Sequence, residues 1–187
     1  MNTDKICIFT DTGKMHTIKA VDIPLGRFRD KGTPVDNLSN YDSSQERMLY
    51  VAPVGQLRSD RLLFVTKTSM CKLVEGAEFD VAKRTIASTK LADEDELIFI
   101  GSASEMEQIV LQSHGGCFLR FLTQEVSTMK KTALGVRGMK LADDDYLEHA
   151  YLLAGHQEYT ISYHDKEYAL NKVRLAKRDT KGIKPRI

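Results

Sequence analysis

The sequence predicts an all-β protein built from about four propeller-like blades, and three observations carry that prediction. First, apolar residues recur at period two around tight polar turns in four places: CIFTDTGKMHTIKAVDI, LLFVTKTSMCKLVEGAEF, QIVLQSHGGCFLRFLTQEV and YTISYHDKEYALNKVRL. Each reads as strand, turn, strand, the signature of a hairpin. Second, the hairpins align with one another. The first and fourth superpose without a gap, Phe9 over Ile161, Lys14 over Lys166, Ile18 over Leu170 and Ile23 over Leu175. The first and second place Phe9 over Val65 and Ile23 over Phe79. Third, the segment after each hairpin repeats. RFRDKGTPVDNL matches KKTALGVRGMKL, Gly32 on Gly135 and Leu38 on Leu141; KRDTKGIKPRI again sets basic residues ahead of a glycine, Gly182, and KRTIASTKL keeps the basic residues without one.

Each unit is therefore a hairpin, a basic connector, an acidic turn and an outer strand. The acidic turns and outer strands are clearest in KLADEDELIFI and KLADDDYLEHAYLL. Units fall at about 5–55, 60–103, 107–154 and 157–187 of one domain spanning 1–187. A period of about 50 residues is that of propeller blades, small sheets that bury their faces against their neighbours. Helix signals are weak. SASEMEQIVLQS has some helical character, but its place in the repeat predicts strand from Gln108 to Gln112.

Composition narrows the function. With 42% hydrophobic and 28% charged residues the chain is an ordinary globular one. No apolar run approaches the roughly 18 residues needed to span a bilayer, so no membrane role is expected. The start, MNTDKICIFTDTGK, lacks a signal-peptide pattern. Cys7, Cys71 and Cys117 are odd in number and unpaired in spacing, which fits a reducing cytoplasm. Net charge is only +1 but unevenly placed. Leu91 to Glu107 holds acids and no Lys or Arg, whereas Asn171 to Ile187 holds one acid, Asp179, among many cations. A near-neutral total thus hides a basic stripe beside an acidic one.

No catalytic constellation stands out. There is no GxxxxGK[ST] phosphate loop. His16, His114, His149, His156 and His164 show no metal-ligand spacing. Ser113-His114-Gly115-Gly116 is not the G-x-S-x-G of a serine nucleophile. Asp143-Asp144-Asp145 and Asp93-Glu94-Asp95-Glu96 recur at the same turn, which reads as a solvated acidic loop and not a metal site. No catalytic residue, metal or cofactor is expected in this domain.

The stretch Leu119 to Asp145 resembles the C-terminal domain of the A subunit of bacterial type IIA topoisomerases, DNA gyrase and topoisomerase IV. The resemblance rests on the turn Thr10 to Lys14, on Arg120-Phe121, Glu125-Val126 and Lys130-Lys131, and above all on Gly135-Val136-Arg137-Gly138-Met139-Lys140-Leu141. It implies a β-pinwheel, a propeller-like disc or arc in which neighbouring blades exchange a strand. It also implies a non-catalytic role, binding and bending duplex DNA for a parent enzyme that uses ATP and Mg²⁺. The partners implied are double-stranded DNA, the catalytic core of the A subunit and the ATPase B subunit, in the bacterial cytoplasm at the nucleoid. None of the seven tyrosines sits in a segment resembling the cleavage machinery. The Gln-Arg-Arg-Gly-Gly-Lys-Gly box of gyrase members has no match here, which favours topoisomerase IV; DNA gyrase stays open, because a blade before Met1 could carry the box.

In this reading Val136, Met139 and Leu141 pack, and the cations beside them reach phosphates. The candidate DNA-binding residues are Lys14, Lys19, Arg27, Arg29, Lys31, Lys83, Arg84, Arg120, Lys130, Lys131, Arg137, Lys140, Lys177, Arg178 and Lys181. Contacts of this kind bind without reading sequence and weaken steeply with salt. Several of them would offset the roughly 1–6 kcal/mol needed to bend 20–30 base pairs by 40–90°. The alternative is a propeller-like protein-interaction module that binds no nucleic acid, which the low net charge also allows.

Overall fold

The computed structural model describes residues 4–155 and 157–185. His156 and the last two residues of the expected fourth unit lie outside the described residues. All four expected hairpins form: β1 (Lys5–Thr10) with β2 (Lys14–Lys19), β4 (Arg61–Thr66) with β5 (Met70–Glu75), β8 (Gln108–Ser113) with β9 (Phe118–Leu122), and β12 (Thr160–Tyr163) with β13 (Lys166–Ala169). Between the first two strand pairs the chain reverses with a residue at positive φ just before the second strand, Gly13 at +74° and Ser69 at 73°. The fourth turn is tighter. His164 and Asp165 both have positive φ, as a two-residue hairpin turn requires.

That tighter turn corrects one alignment. The short helical turn that follows each hairpin starts at Ala20, Gly76, Thr123 and Leu170. Val173, 1% exposed, therefore takes the place of Phe79 and Val126, and Leu175, 43% exposed, does not. The ungapped superposition placed Leu175 there because it ignored the shortened turn.

Outer strands β3 (Met48–Pro53), β7 (Leu97–Ser102) and β11 (Leu147–Leu153) each pair with the first strand of their own hairpin. Cys7 lies opposite Ala52, Phe64 opposite Ile100 and Leu111 opposite Ala150. The segment Gln108–Ser113 is strand, as its place in the repeat predicts.

The connectors, here called straps, cross to the preceding blade. β6 (Thr85–Ala87) pairs with β2, β10 (Val136–Arg137) pairs with β5, and Ile183 bridges Phe118 on β9. Strand exchange is therefore repeated along the chain. Gly135 shows why a glycine recurs here. Its φ is +112°, and a Cβ would stand 2.7 Å from the Cys71 carbonyl oxygen, so only a bare α-carbon lets the strap lie against β5. Outer strands are stitched too: Leu97 N–H donates to Asp11 O at 2.9 Å and Leu147 N–H to Lys67 O at 2.9 Å.

The core lies between blades. One cluster joins Phe9, Met15, Phe64 and Phe79, a second joins Leu63, Leu73, Ile109 and Phe121, and a third joins Val110, Phe118, Leu170 and Val173. Both faces of β4 are buried, so its alternation is apolar on either side. Phe9 and Phe79 meet edge to face at 4.9 Å. The acidic turns have a structural duty. Asp95 accepts from Thr68 N–H at 3.0 Å and Asp145 from Gly115 N–H at 2.9 Å, each capping the hairpin turn of its own blade.

Candidate nucleic-acid interface

The straps carry paired cations, Lys83-Arg84, Lys130-Lys131 and Lys177-Arg178. What holds each pair is a carboxylate on the helical turn of the preceding blade, at the third position of that turn: Asp22, Glu78 and Glu125. Asp22 stands 3.7 Å from the Arg84 guanidinium. Glu78 accepts the Lys131 N–H at 3.2 Å and lies 3.3 Å from the Lys130 ammonium. Glu125 accepts the Arg178 N–H at 2.9 Å. Burial would raise the Glu78 carboxyl, but the Lys131 amide and the two lysines outweigh it and hold it below its ordinary range. A carboxylate at the same turn position thus meets the strap, as a latch, at three blade junctions, through an amide hydrogen bond at the second and third and through an ion pair alone at the first.

The latch divides the members of the second and third pairs, whereas Arg84 stays exposed beside Lys83. In the second and third latches the later cation turns inward. Lys131 Nζ donates to Glu78 O at 3.1 Å, while Arg178 donates to Glu125 O at 3.1 Å and to Arg137 O at 2.5 Å. The first member faces solvent. Lys83, Lys130 and Lys177 are all exposed, the Lys130 side chain to 81%.

The other predicted residues divide in the same way. Lys14, Lys19, Lys140 and Lys181 are exposed. Arg27, Arg29 and Lys31 are exposed as well, on a strap that pairs with no strand among the described residues; beside them Leu25 and Phe28 lie fully in solvent. Arg120 is half-buried and donates to the Asn171 carbonyl, so it supports the fold from within. Arg137 is exposed but engaged, with Nε 2.5 Å from Asp179 Oδ1 and Nη2 3.3 Å from Oδ2. As expected, Met139 is buried and Val136 and Leu141 pack against the core. Among the described residues no group of His, Cys, Asp and Glu could hold a metal ion.

Two buried polar groups escape a reading of the sequence for cations. Lys72, 1% exposed on β5, donates to Lys131 O at 2.8 Å and Ala133 O at 2.6 Å, so it clamps the third strap from below. Burial pushes its ammonium down to about 8. Its counterpart in the first hairpin is His16, 2% exposed, whose Nδ1 is 3.1 Å from Thr85 Oγ1 on the exchanged strand. His16 Nε2 lies 2.8 Å from Glu46 Oε1, off the line that a hydrogen bond needs. Burial raises the Glu46 carboxyl, but hydrogen bonds from Thr10 and Thr12, with His16 and the Asp42 amide, hold it below its ordinary range. The signal was present in the sequence: a titratable residue at the same place in two superposed hairpins, His16 after Met15 and Lys72 between Cys71 and Leu73.

Comparison with known proteins places this architecture. A model of the DNA gyrase C-terminal domain, beta-propeller, matches residues 4–43, 60–104 and 107–154. The DNA gyrase A subunit of Ureaplasma parvum serovar 3 is 27% identical over 184 residues, covering 95% of this chain and 22% of the relative. The A subunit of DNA topoisomerase 4 from Bacillus subtilis strain 168 is 30% identical over 148 residues, 78% of this chain and 18% of the relative. The chain thus spans about a fifth of the length of these relatives. Among solved structures, the C-terminal domain of DNA topoisomerase IV superposes with a TM-score of 0.87 at 24% identity, over 97% of this chain and 58% of that one. The E. coli ParC C-terminal domain superposes with a TM-score of 0.80 at 15% identity, over 99% and 78%. No helix among the described residues is long and apolar enough to cross a membrane. With matching blades, exchanged straps and a family model covering most of its length, the chain belongs to the DNA gyrase C-terminal domain family, the β-pinwheel domain of the A subunits of bacterial DNA gyrase and topoisomerase IV.

Proposed function

We propose that this domain binds and bends duplex DNA without cutting it, holding a segment for the cleavage core of a type II topoisomerase whose A subunit works with an ATPase B subunit. The observation that carries the reading is the repeated latch. The first cation of each pair, Lys83, Lys130 and Lys177, is exposed at the same place on successive straps. Lys14, Lys19, Lys140 and Lys181 add exposed charge. A row of evenly repeated cations suits the evenly repeated phosphates of a duplex and reads no sequence. Arg120, Lys131 and Arg178 serve the blade junctions in this account. Arg27, Arg29 and Lys31 join the surface only if their strap is held as the others are.

The parent reaction would change DNA topology and decatenate chromosomes in the bacterial cytoplasm, with ATP and Mg²⁺ bound elsewhere in the enzyme. Our reading of that parent is topoisomerase IV, because no Gln-Arg-Arg-Gly-Gly-Lys-Gly box occurs among these residues, with DNA gyrase as the alternative if a preceding blade carries the box. A second reading, docking of a protein, is favoured by the solvent-exposed Leu25 and Phe28. The deciding experiment titrates the chain with a labelled duplex of about 40 base pairs across a salt series, beside Lys83→Ala/Lys130→Ala/Lys177→Ala. Each lost phosphate contact should flatten the log–log salt slope by roughly 0.9. An identical slope in the triple variant would remove these three residues from the interface, and no binding at low salt would favour the protein-docking reading.

A further inference from the structure

The helical turn after each hairpin closes the lower end of a blade junction, and the side chains that fill this place differ along the chain. Between the first and second blades the connection 54–60 forms a helical turn, α1 (Val54–Leu57), which buries Leu57 in one cluster with Phe79. Gly76 opens the turn after the second hairpin, where a Cβ would stand 2.0 Å from Leu57 O. Between the third and fourth blades the corresponding place is again filled. Leu170 opens that turn and is buried, and Arg120 donates to the neighbouring Asn171 carbonyl.

Between the second and third blades the same place is open. The connection 103–107 is two residues shorter than 54–60 and makes no helical turn. Val126 stands where Phe79 stands, and Thr123 where Gly76 does. The result is a cleft of about 610 Å³, lined by Leu73, Leu122, Thr123 and Val126 and by two charged residues, Arg61 and Glu107. Arg61 is half-buried; its backbone N–H is bonded to Asp60 and Ser104, but its guanidinium has no partner among the described residues. Lys5, at the same place in the first hairpin, donates to Val81 O at 3.0 Å. The Thr123 hydroxyl is buried and also has no partner among the described residues.

We infer that this cleft binds a small monocarboxylate with a branched apolar body. The body takes the space that Leu57 takes at the preceding junction, and its burial against Leu73, Leu122 and Val126 drives binding. The carboxylate pairs with the planar fork of Arg61, which matches two oxygens at once. Glu107, exposed beside the cleft, repels a second negative charge and so selects against dianions. The volume lies within the roughly 300–1,000 Å³ of small-molecule sites. The inference rests on one blade junction, wholly inside the chain, and is independent of DNA binding.

The test is calorimetric titration of the whole chain with isocaproate, which joins a leucine-like body to a carboxylate. Isoamylamine, the same body with a cation, and inorganic phosphate, a charge without the body, are the comparisons. Isocaproate should bind at one site with a Kd on the order of 1 mM, as befits so few atoms. The other two should bind at least about tenfold more weakly, the order of one charge-assisted hydrogen bond or of the lost apolar contact. Arg61→Gln should weaken isocaproate by about tenfold with unchanged circular dichroism. Val126→Phe, which copies Phe79, should fill the cleft and abolish binding; Thr123→Leu, which copies Leu170, serves if Val126→Phe does not fold. Amide chemical shifts of Thr123 and Val126 should move with isocaproate and not with isoamylamine. No binding of isocaproate, equal binding of the amine or of phosphate, or an affinity unmoved by Arg61→Gln would overturn the inference.

Discussion

Arg137 on the third strap and Asp179 on the fourth form a two-bond pair, at 2.5 and 3.3 Å, that joins successive straps across the surface. The hydrogen bond from Arg137 holds the Asp179 carboxyl below its ordinary range, and the same contact raises the guanidinium. In the proposed interface the carboxylate competes with phosphate for Arg137. Asp179→Asn should therefore strengthen duplex binding and steepen its salt slope by up to roughly 0.9, one added contact. A slope unchanged within error would place Arg137 off the DNA path.

Lys72 offers a stability test with a definite sign. Its folded value, about 8, lies below the ordinary 10.5, so between these the unfolded chain binds more protons. Stability should rise with pH across that window as the folded ammonium sheds its proton, by on the order of 2–3 kcal/mol. Chemical denaturation from pH 7 to 10.5 should show this rise relative to Lys72→Met, which has no such group. Parallel curves for the two proteins would contradict it. At pH 7 Lys72→Met should also leave the Lys131 and Ala133 carbonyls without their buried donor and speed hydrogen exchange in the third strap.

The latch predicts local loosening. Glu78→Ala removes the acceptor of the Lys131 amide, a net loss of about 1 kcal/mol. The expected signature is faster exchange at the Lys131 amide and a small drop in the denaturant midpoint. If exchange at Lys131 is unaffected, the latch does not hold the strap.

Two glycines at equivalent places should behave oppositely. At Gly135, Ala meets the Cys71 carbonyl at 2.7 Å from a positive φ, a loss of the order of 2–4 kcal/mol. At Gly32 an added Cβ has nothing within 4 Å, so Gly32→Ala should change the melting temperature little. A comparable loss at both positions would show the first strap to be held as tightly as the third.

Much of this was legible in the sequence because it is local. Period-two runs around short turns fix the hairpins, and glycine ahead of an apolar residue at Gly135 and Gly182 marks where a strap lies against backbone. The fourth alignment slipped because a two-residue turn shortens its hairpin, and turn length is hard to count when neighbouring residues are all polar. The cations were identifiable as a set and not individually. Arg120 and Lys130 look alike in sequence, yet one donates to a carbonyl inside a blade junction and the other stays exposed at the surface, paired with Glu78.

The sequence by itself determined the hairpins, since each follows from residues a few positions apart, and their recurrence along the chain; strand exchange entered only as what the family resemblance implies. Only the tertiary structure decided which charges are free. Glu78 meets Lys131, Asp179 meets Arg137 and Lys72 meets Ala133 across long stretches of chain. The energy of a charge depends on its distance from its partners and on how much water lies between them. Neither quantity exists until the blades have packed.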